Sequence, residues 1–281
     1  MRKVASYLIG FVLAIACAIT AQAQEAAFPY PAVPDSLDNP QERAAYVLAH
    51  YWEQYQLADT TAQNQAIGEQ GFSDFLYVLT HADSLAASQA VEDFVRQTFA
   101  TPWGEQHYAE LISHYLYNPN SPLRDDRIYV HFLRAMLHHY EQGPPRASLN
   151  KRYIHEHEQA RFLLRQVAKN QVGTIAADLT FSDPDGHQQH LHQIQSPLIL
   201  IEFFETDCDN CKRIDAALAD EPLIHANPYL SLVRIPAANA DGPYFIPSTP
   251  AFYLLDADKR VLLKDPPVST LLQFLREIRS E

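Results

Sequence analysis

Apolar positions along the chain fall into two textures that meet near residue 171. From Asn39 to Gln171 they recur at three- and four-residue steps, the spacing of one face of an amphipathic helix. The stripes are Leu48, Tyr51, Trp52 and Tyr55; Tyr108, Leu111, Ile112 and Tyr115; Ile128, Phe132, Met136 and Tyr140; and Ile154, Leu164 and Val167. Asn39-Pro40-Gln41-Glu42 has the form of a helix start, with an N-cap, a proline at the first helical position and a glutamate at the third. Proline or glycine interrupts the pattern at Thr101-Pro102, from Asn118 to Pro122, and at Gly143-Pro144-Pro145. No internal repeat is visible, so residues 39–171 predict a small helical bundle rather than a solenoid.

After Gln171 the period shortens. Val172 to Leu179 leads into Phe181, and Asp183-Pro184-Asp185-Gly186 has the composition of a hairpin turn. Leu198 to Phe204 is a compact apolar run, the mark of a central strand buried on both faces. Asp209 to Ala219 then predicts a helix and Leu230 to Ile235 a strand. Ala251 to Leu255 and Arg260 to Lys264 predict a hairpin turning at Asp256 to Lys259. Ser269 stands where it would cap a last helix bearing Leu271, Leu272, Leu275 and Ile278. The expected fold class is therefore an N-terminal all-α domain followed by an α/β domain at 172–281, a sheet covered by helices.

The first residues change what compartment to expect. Arg2 and Lys3 precede an apolar run from Leu8 to Ile19, and Ala21-Gln22-Ala23 is the small-residue pattern of a secretory cleavage site. The run is shorter than the roughly 20 apolar residues of a membrane span. A signal peptide at 1–23, cleaved before Gln24 and followed by a linker at 24–38, is expected, and with it a periplasmic or otherwise exported protein. The alternative makes Cys17 a lipidated N-terminus, since Leu13-Ala14-Ile15-Ala16-Cys17 loosely follows a lipobox. Across 281 residues the formal charge is −13, which argues against nucleic acid and anionic lipid surfaces as partners.

Cysteine use narrows the chemistry. Of 3 cysteines, Cys17 leaves with the signal, so Cys208 and Cys211 are the remaining thiols. A loop so short closes little chain entropy, so a bond between them would stabilise little. Cys208-Asp209-Asn210-Cys211 instead follows a buried strand and opens a helix. A thiolate there faces unpaired backbone N–H groups and the positive end of the helix dipole. That placement suits thiol–disulfide exchange, the first cysteine exposed and the second resolving. Half a zinc site is the other reading, but no second cysteine pair exists to complete it.

Here a resemblance becomes specific. The Gly173 to Asp178 lead-in, the Asp183 to Gly186 turn, the strand before Cys208 and Ser248-Thr249-Pro250 together resemble the thioredoxin-like family, nearest its exported TlpA and ResA-type branch. The resemblance covers about Val172 to Ile278. It implies a thioredoxin-like α/β sandwich in which Pro250 is cis and lies beside the cysteines, with the Thr249 backbone pairing with a client chain like an added strand. It also implies that Glu202, a charge inside Ile199 to Phe204, is the buried acid that takes the proton of Cys211. The sequence departs from the family in carrying Asp207 where tryptophan is usual and Asp209-Asn210 between the cysteines. With Glu205, these acids crowd negative charge around Cys208 and disfavour its thiolate, which points to a reductant, with Lys212 and Arg213 offsetting part of the effect.

Histidines, 13 in all, are densest at His138-His139, at His155 and His157, and at His187, His190 and His192. Neighbours two apart on a helix point to different faces, so no metal is expected. No bound cofactor is expected either, because the electrons of dithiol exchange reside on the two sulfurs. The expected partners are exported proteins bearing disulfides and a membrane thiol donor that recharges the pair. The alternative function is a non-catalytic thioredoxin-fold scaffold that recognises partners through the helical domain, itself similar to helical domains of unassigned function that precede thioredoxin-like domains in exported bacterial proteins.

Overall fold

The protein is described by a computed structural model over residues 27–143, 151–182, 186–240 and 242–279. The expected signal segment with Cys17, Pro144-Pro145 and Asp183 to Asp185 lie outside the described residues. The chain divides into two compact units, the first ending at Ala86 and the second starting at Ala87.

In the first unit, helix α1 (Pro40–His50) starts as its sequence dictates: Asn39 Oδ1 accepts the Gln41 and Glu42 backbone N–H groups, and Pro40 occupies the first turn. The apolar stripe predicts a longer helix, but α1 ends at His50. The N–H groups of Tyr51, Glu53 and Tyr55 reach back only three residues, to Leu48, His50 and Trp52. These tight turns wrap Tyr51, Trp52 and Tyr55 around Phe28, with ring centroids 5.1 to 5.3 Å from it. Helix α2 (Ala62–His81) supplies the floor of this cluster. A Cβ at Gly71 would lie 2.1 Å from the Phe28 ring, and one at Gly68 would lie 2.2 Å from the Tyr55 hydroxyl. Glycine in a helix interior is unfavourable; here it is what lets the rings approach.

The second unit holds α3 (Ser84–Thr98) almost entirely, then α4 (Pro102–Leu116), α5 (Asp126–Gln142) and α6 (Lys151–Val167). Thr101 caps α4 with Pro102 in its first turn, and Asp125 caps α5 through the Arg127 and Ile128 N–H groups. The helices bury Phe94, Tyr108, Ile112 and Phe132 among themselves, with Phe94 edge-on to both Tyr108 and Phe132. Strands follow in the expected order. A separate hairpin pairs β1 (Thr180–Ser182) with β2 (Gln188–His190). The main sheet has the order β4-β3-β5-β6, with β3 (Leu198–Phe204) parallel to β4 (Leu230–Pro236) and antiparallel to β5 (Ala251–Asp256), which pairs with β6 (Val261–Lys264).

Alternation along β3 makes two cores. Ile199, Ile201 and Phe203 pack with Tyr244, Tyr253 and Leu191 on one face. Leu200 packs on the other with Phe252, Leu254 and residues of helices α7 (Asp209–Leu218), α8 (Pro222–His225) and α9 (Val268–Arg279). Ser269 lies inside the first turn of α9 rather than capping it. Helix α9 begins one residue earlier, where the Leu271 N–H meets the Pro267 carbonyl, because Pro267 already bends the chain into the helix.

A four-charge cluster ties α5 to the sheet. Lys264 Nζ meets Asp126 at 2.7 Å and the Val167 carbonyl at 2.6 Å, and Arg124 meets Asp265 at 2.7 Å. Burial pushes Lys264 down and Asp265 up from their ordinary pKa values, while the opposite charges pull each back. The cluster is neutral as a whole, which is the condition for burying charge at tolerable cost. Removing one member leaves another uncompensated. Lys264→Met is expected to cost about 3 kcal/mol, read from the urea midpoint, and adding Asp126→Leu should recover most of it. An unchanged midpoint in the single variant would show the cluster to be energetically idle.

Candidate active site

The site is assembled where β3 ends. After Phe204 the chain turns through exposed Glu205, Thr206 and Asp207 and enters α7 at Cys208. Cys208 is the N-cap residue, and its Sγ accepts the Cys211 backbone N–H at 3.0 Å. The two cysteines form a disulfide with Cα atoms 5.2 Å apart. Cys208 is half-buried and Cys211 only 3% exposed, so the sulfurs are unequal in access.

Across from them runs the loop before β5. The Thr249–Pro250 peptide bond is cis and Pro250 is buried. The Thr249 carbonyl oxygen lies 3.4 Å from Cys208 Sγ and accepts Asn210 Nδ2 at 3.2 Å. Asn210 is itself held by Arg213 Nη2, which donates to its Oδ1 at 2.6 Å. Cys208, Cys211, Asn210, Thr249 and Pro250 thus come together although 42 positions separate the first from the last. The acids stand apart from this contact. The Asp209 side chain is fully exposed with Lys212 at 3.8 Å, and Glu205 and Asp207 are exposed as well. Charges so placed are screened by water.

Glu202 is 4% exposed inside β3, which has a strand on each side, so the charge within Ile199 to Phe204 is buried. It shares a face with Leu200, the face covered by α7. Directly opposite in the parallel register stands Arg234, whose Nε and Nη2 reach the two Glu202 oxygens at 2.8 and 3.1 Å. The same Nη2 reaches Asp215 of α7 at 2.7 Å. The guanidinium also sits 4.9 Å over the Phe204 ring. Burial pushes the Glu202 carboxyl above the ordinary carboxylate range, against the opposing pull of Arg234. Arg234 is correspondingly raised by its bond to Glu202. Asp215 follows Cys211 by one helical turn, so the two share a face of α7 and Glu202 lies beneath it. A pocket of about 330 Å³ opens beside Glu202, Asp215 and Arg234 and reaches His225.

Arg234 and Asp215 escape the sequence reading, yet Arg234 carries the same signal as Glu202, a charge inside an apolar strand run. Two such charges of opposite sign on neighbouring strands predict a pair. Among the described residues, no three His, Cys, Asp or Glu side chains gather so as to hold a metal ion. The histidines are engaged locally: His138 lies 3.9 Å from Glu92, His190 lies 3.5 Å from Asp178, and His192 Nε2 meets the Ala176 carbonyl at 2.7 Å.

Among solved structures, the chain is similar to a thioredoxin-like protein from Bacteroides caccae, with 24% identity, a TM-score of 0.73, and coverage of 90% of this chain and 99% of that one. The likeness extends over both the helical and the strand regions and shows the fold: a helical N-terminal domain joined to a thioredoxin-like α/β sandwich. Shorter matches are the C-terminal domain of an uncharacterized protein from Bacteroides fragilis (23% identity, 39% of this chain and 99% of that one, TM-score 0.36) and the thioredoxin domain of a thiol-disulfide oxidoreductase from Bacteroides vulgatus (14% identity, 38% and 96%, TM-score 0.34). No curated protein matches the chain. Residues 14–161, more than half of the sequence, match a family described as a domain of unknown function, a stretch that takes in α1 to α5 and most of α6 and stops before the first strand. The chain belongs to this family, DUF5106, and joins its helical domain to a thioredoxin-like fold.

Proposed function

We propose that this protein is an exported thiol–disulfide oxidoreductase that reduces disulfides in other exported proteins. The observation that carries the reading is the pairing of a reachable Cys208 at a helix N-terminus with a buried Cys211, beside Thr249-Pro250. In the reduced protein, the Cys208 thiolate attacks one sulfur of a client disulfide. The client's other sulfur leaves as a thiolate and takes a proton from water. Cys211 then gives its proton to the Glu202 carboxylate and attacks the Cys208 sulfur, which releases the second client thiolate to take its proton from water as well. The client gains two electrons and two protons, and the protein is left with the Cys208–Cys211 disulfide. A membrane thiol donor returns the electrons. No bound cofactor enters the sequence of steps.

Glu202 and Arg234 support the resolving step. A buried carboxylate with a raised pKa is a better base than one in water, and Arg234 keeps it ionised within the working range. The pocket beside the pair gives the accepted proton a way to solvent. The reductant assignment rests on the excess of acids near Cys208, where Glu205, Asp207 and Asp209 outnumber Lys212; screened by water, they disfavour the thiolate, and so the reduced form, only weakly. Thr249 would present the client chain through its backbone once Asn210 releases its carbonyl.

Two experiments test this. Cys211→Ser, expressed in the cell envelope of the native organism, should accumulate proteins linked to Cys208, because no resolving thiol remains to release them. A trap as empty as the Cys208→Ser control, in a folded and exported protein, would favour the scaffold reading instead. In single-turnover release of a preformed mixed disulfide, the rate should rise with pH as Glu202 loses its proton, with a midpoint above the ordinary carboxylate range. Arg234→Gln removes the pull that opposes burial and should move that midpoint further up, whereas Glu202→Gln should abolish the limb. Superimposable profiles for the three proteins would exclude Glu202 as the base.

A further inference from the structure

The loop that carries Thr249 is held from the helical domain. Tyr117, the C-cap residue of α4, stacks on Phe245 with centroids 6.4 Å apart and planes at 17°. Its other neighbour is Tyr129 of α5, 3% exposed, with centroids 5.7 Å apart. Tyr117 therefore bridges the rigid helical packing and the loop, within the range in which aromatic pairs attract. The residues before Phe245 are fixed as well. Asn170, just after α6, donates its Nδ2 to the Pro243 carbonyl at 3.1 Å, and the Tyr244 hydroxyl donates to the Ala177 carbonyl at 2.8 Å. Tyr253 of β5 donates to the Phe245 carbonyl at 2.8 Å. Phe245 lies four residues before Thr249, at most about 14 Å along extended chain. In the loop from Pro243 to Phe245, the Phe245 ring is the part whose support comes from α4.

We infer that Tyr117 is a positioning residue for client binding: seated between Tyr129 and Phe245, it lets the helical domain set where the Thr249 backbone stands relative to Cys208. This rests on the oxidoreductase reading and gives the DUF5106 region a part in it, since Tyr117 and Tyr129 both lie within residues 14–161. Tyr117 touches neither sulfur, so it acts through Phe245 alone. A small disulfide needs only Cys208, whereas a polypeptide also needs the edge at Thr249. The two substrates therefore separate positioning from chemistry.

The test compares full-length wild type, Tyr117→Ala and Tyr117→Phe with insulin and with Ellman's reagent as disulfide substrates. Tyr117→Ala should raise KM for insulin roughly threefold to tenfold, the factor one aromatic pair supplies, while kcat and the rate with Ellman's reagent stay at the wild-type values. Tyr117→Phe keeps the ring and should restore the wild-type KM. Equal KM for insulin in wild type and Tyr117→Ala would overturn the inference and leave the oxidoreductase reading intact. An equal loss on both substrates would overturn it too, by showing a general structural role. A wild-type protein that reduces Ellman's reagent but no protein disulfide would overturn both.

Discussion

The candidate site hangs on β3, a strand with hydrogen-bonded neighbours on both edges and a core on each face. Such a strand cannot shift its register by one residue without turning every buried side chain to the wrong face. Its C-terminal end is therefore a fixed point, and the turn that follows delivers Cys208 and Cys211 to a fixed place. The same strand carries Glu202, which is tolerated because Arg234 is brought opposite by the parallel pairing with β4. One register decision thus places both the sulfurs and the acid beneath them.

The strands, their succession along the chain and the cysteine pair were legible because each rests on local pattern. Leu198 to Phe204 is too apolar to be anything but buried, and Cys208 to Cys211 stands where a strand gives way to a helix. The ends of elements were less legible. Tyr51, Trp52 and Tyr55 keep helical spacing yet leave the helix, because their rings gain more around Phe28 than the backbone gains from another helical turn. Helices α2 and α3 left fainter traces; in α2 two glycines dilute the stripe at the points of closest packing. Arg234 and Asp215 were hidden for another reason. Their importance is a matter of pairing across 32 and 19 positions, which no single window of sequence contains.

Charge is used in two ways here. The cluster of Arg124, Asp126, Lys264 and Asp265 is sealed away, and its opposite charges are matched in number. Such a cluster is weak evidence for stability; what it offers is discrimination against other packings, since a misdocked helix would strand an ion. Glu202, Arg234 and Asp215 are one charge out of balance and open to a pocket. The closed set suits a joint, and the open one suits a group that must gain and lose a proton.

The Cys208 sulfur also serves as the cap of α7, taking the Cys211 N–H that the helix start would otherwise leave unpaired. In the disulfide that acceptor is neutral. In the thiolate it carries a full charge, and a charge-assisted bond at the positive end of the helix is roughly twice as strong. Were the pair reduced to a Cys208 thiolate, the same contact would therefore hold the first turn of α7 more firmly than it does in the disulfide.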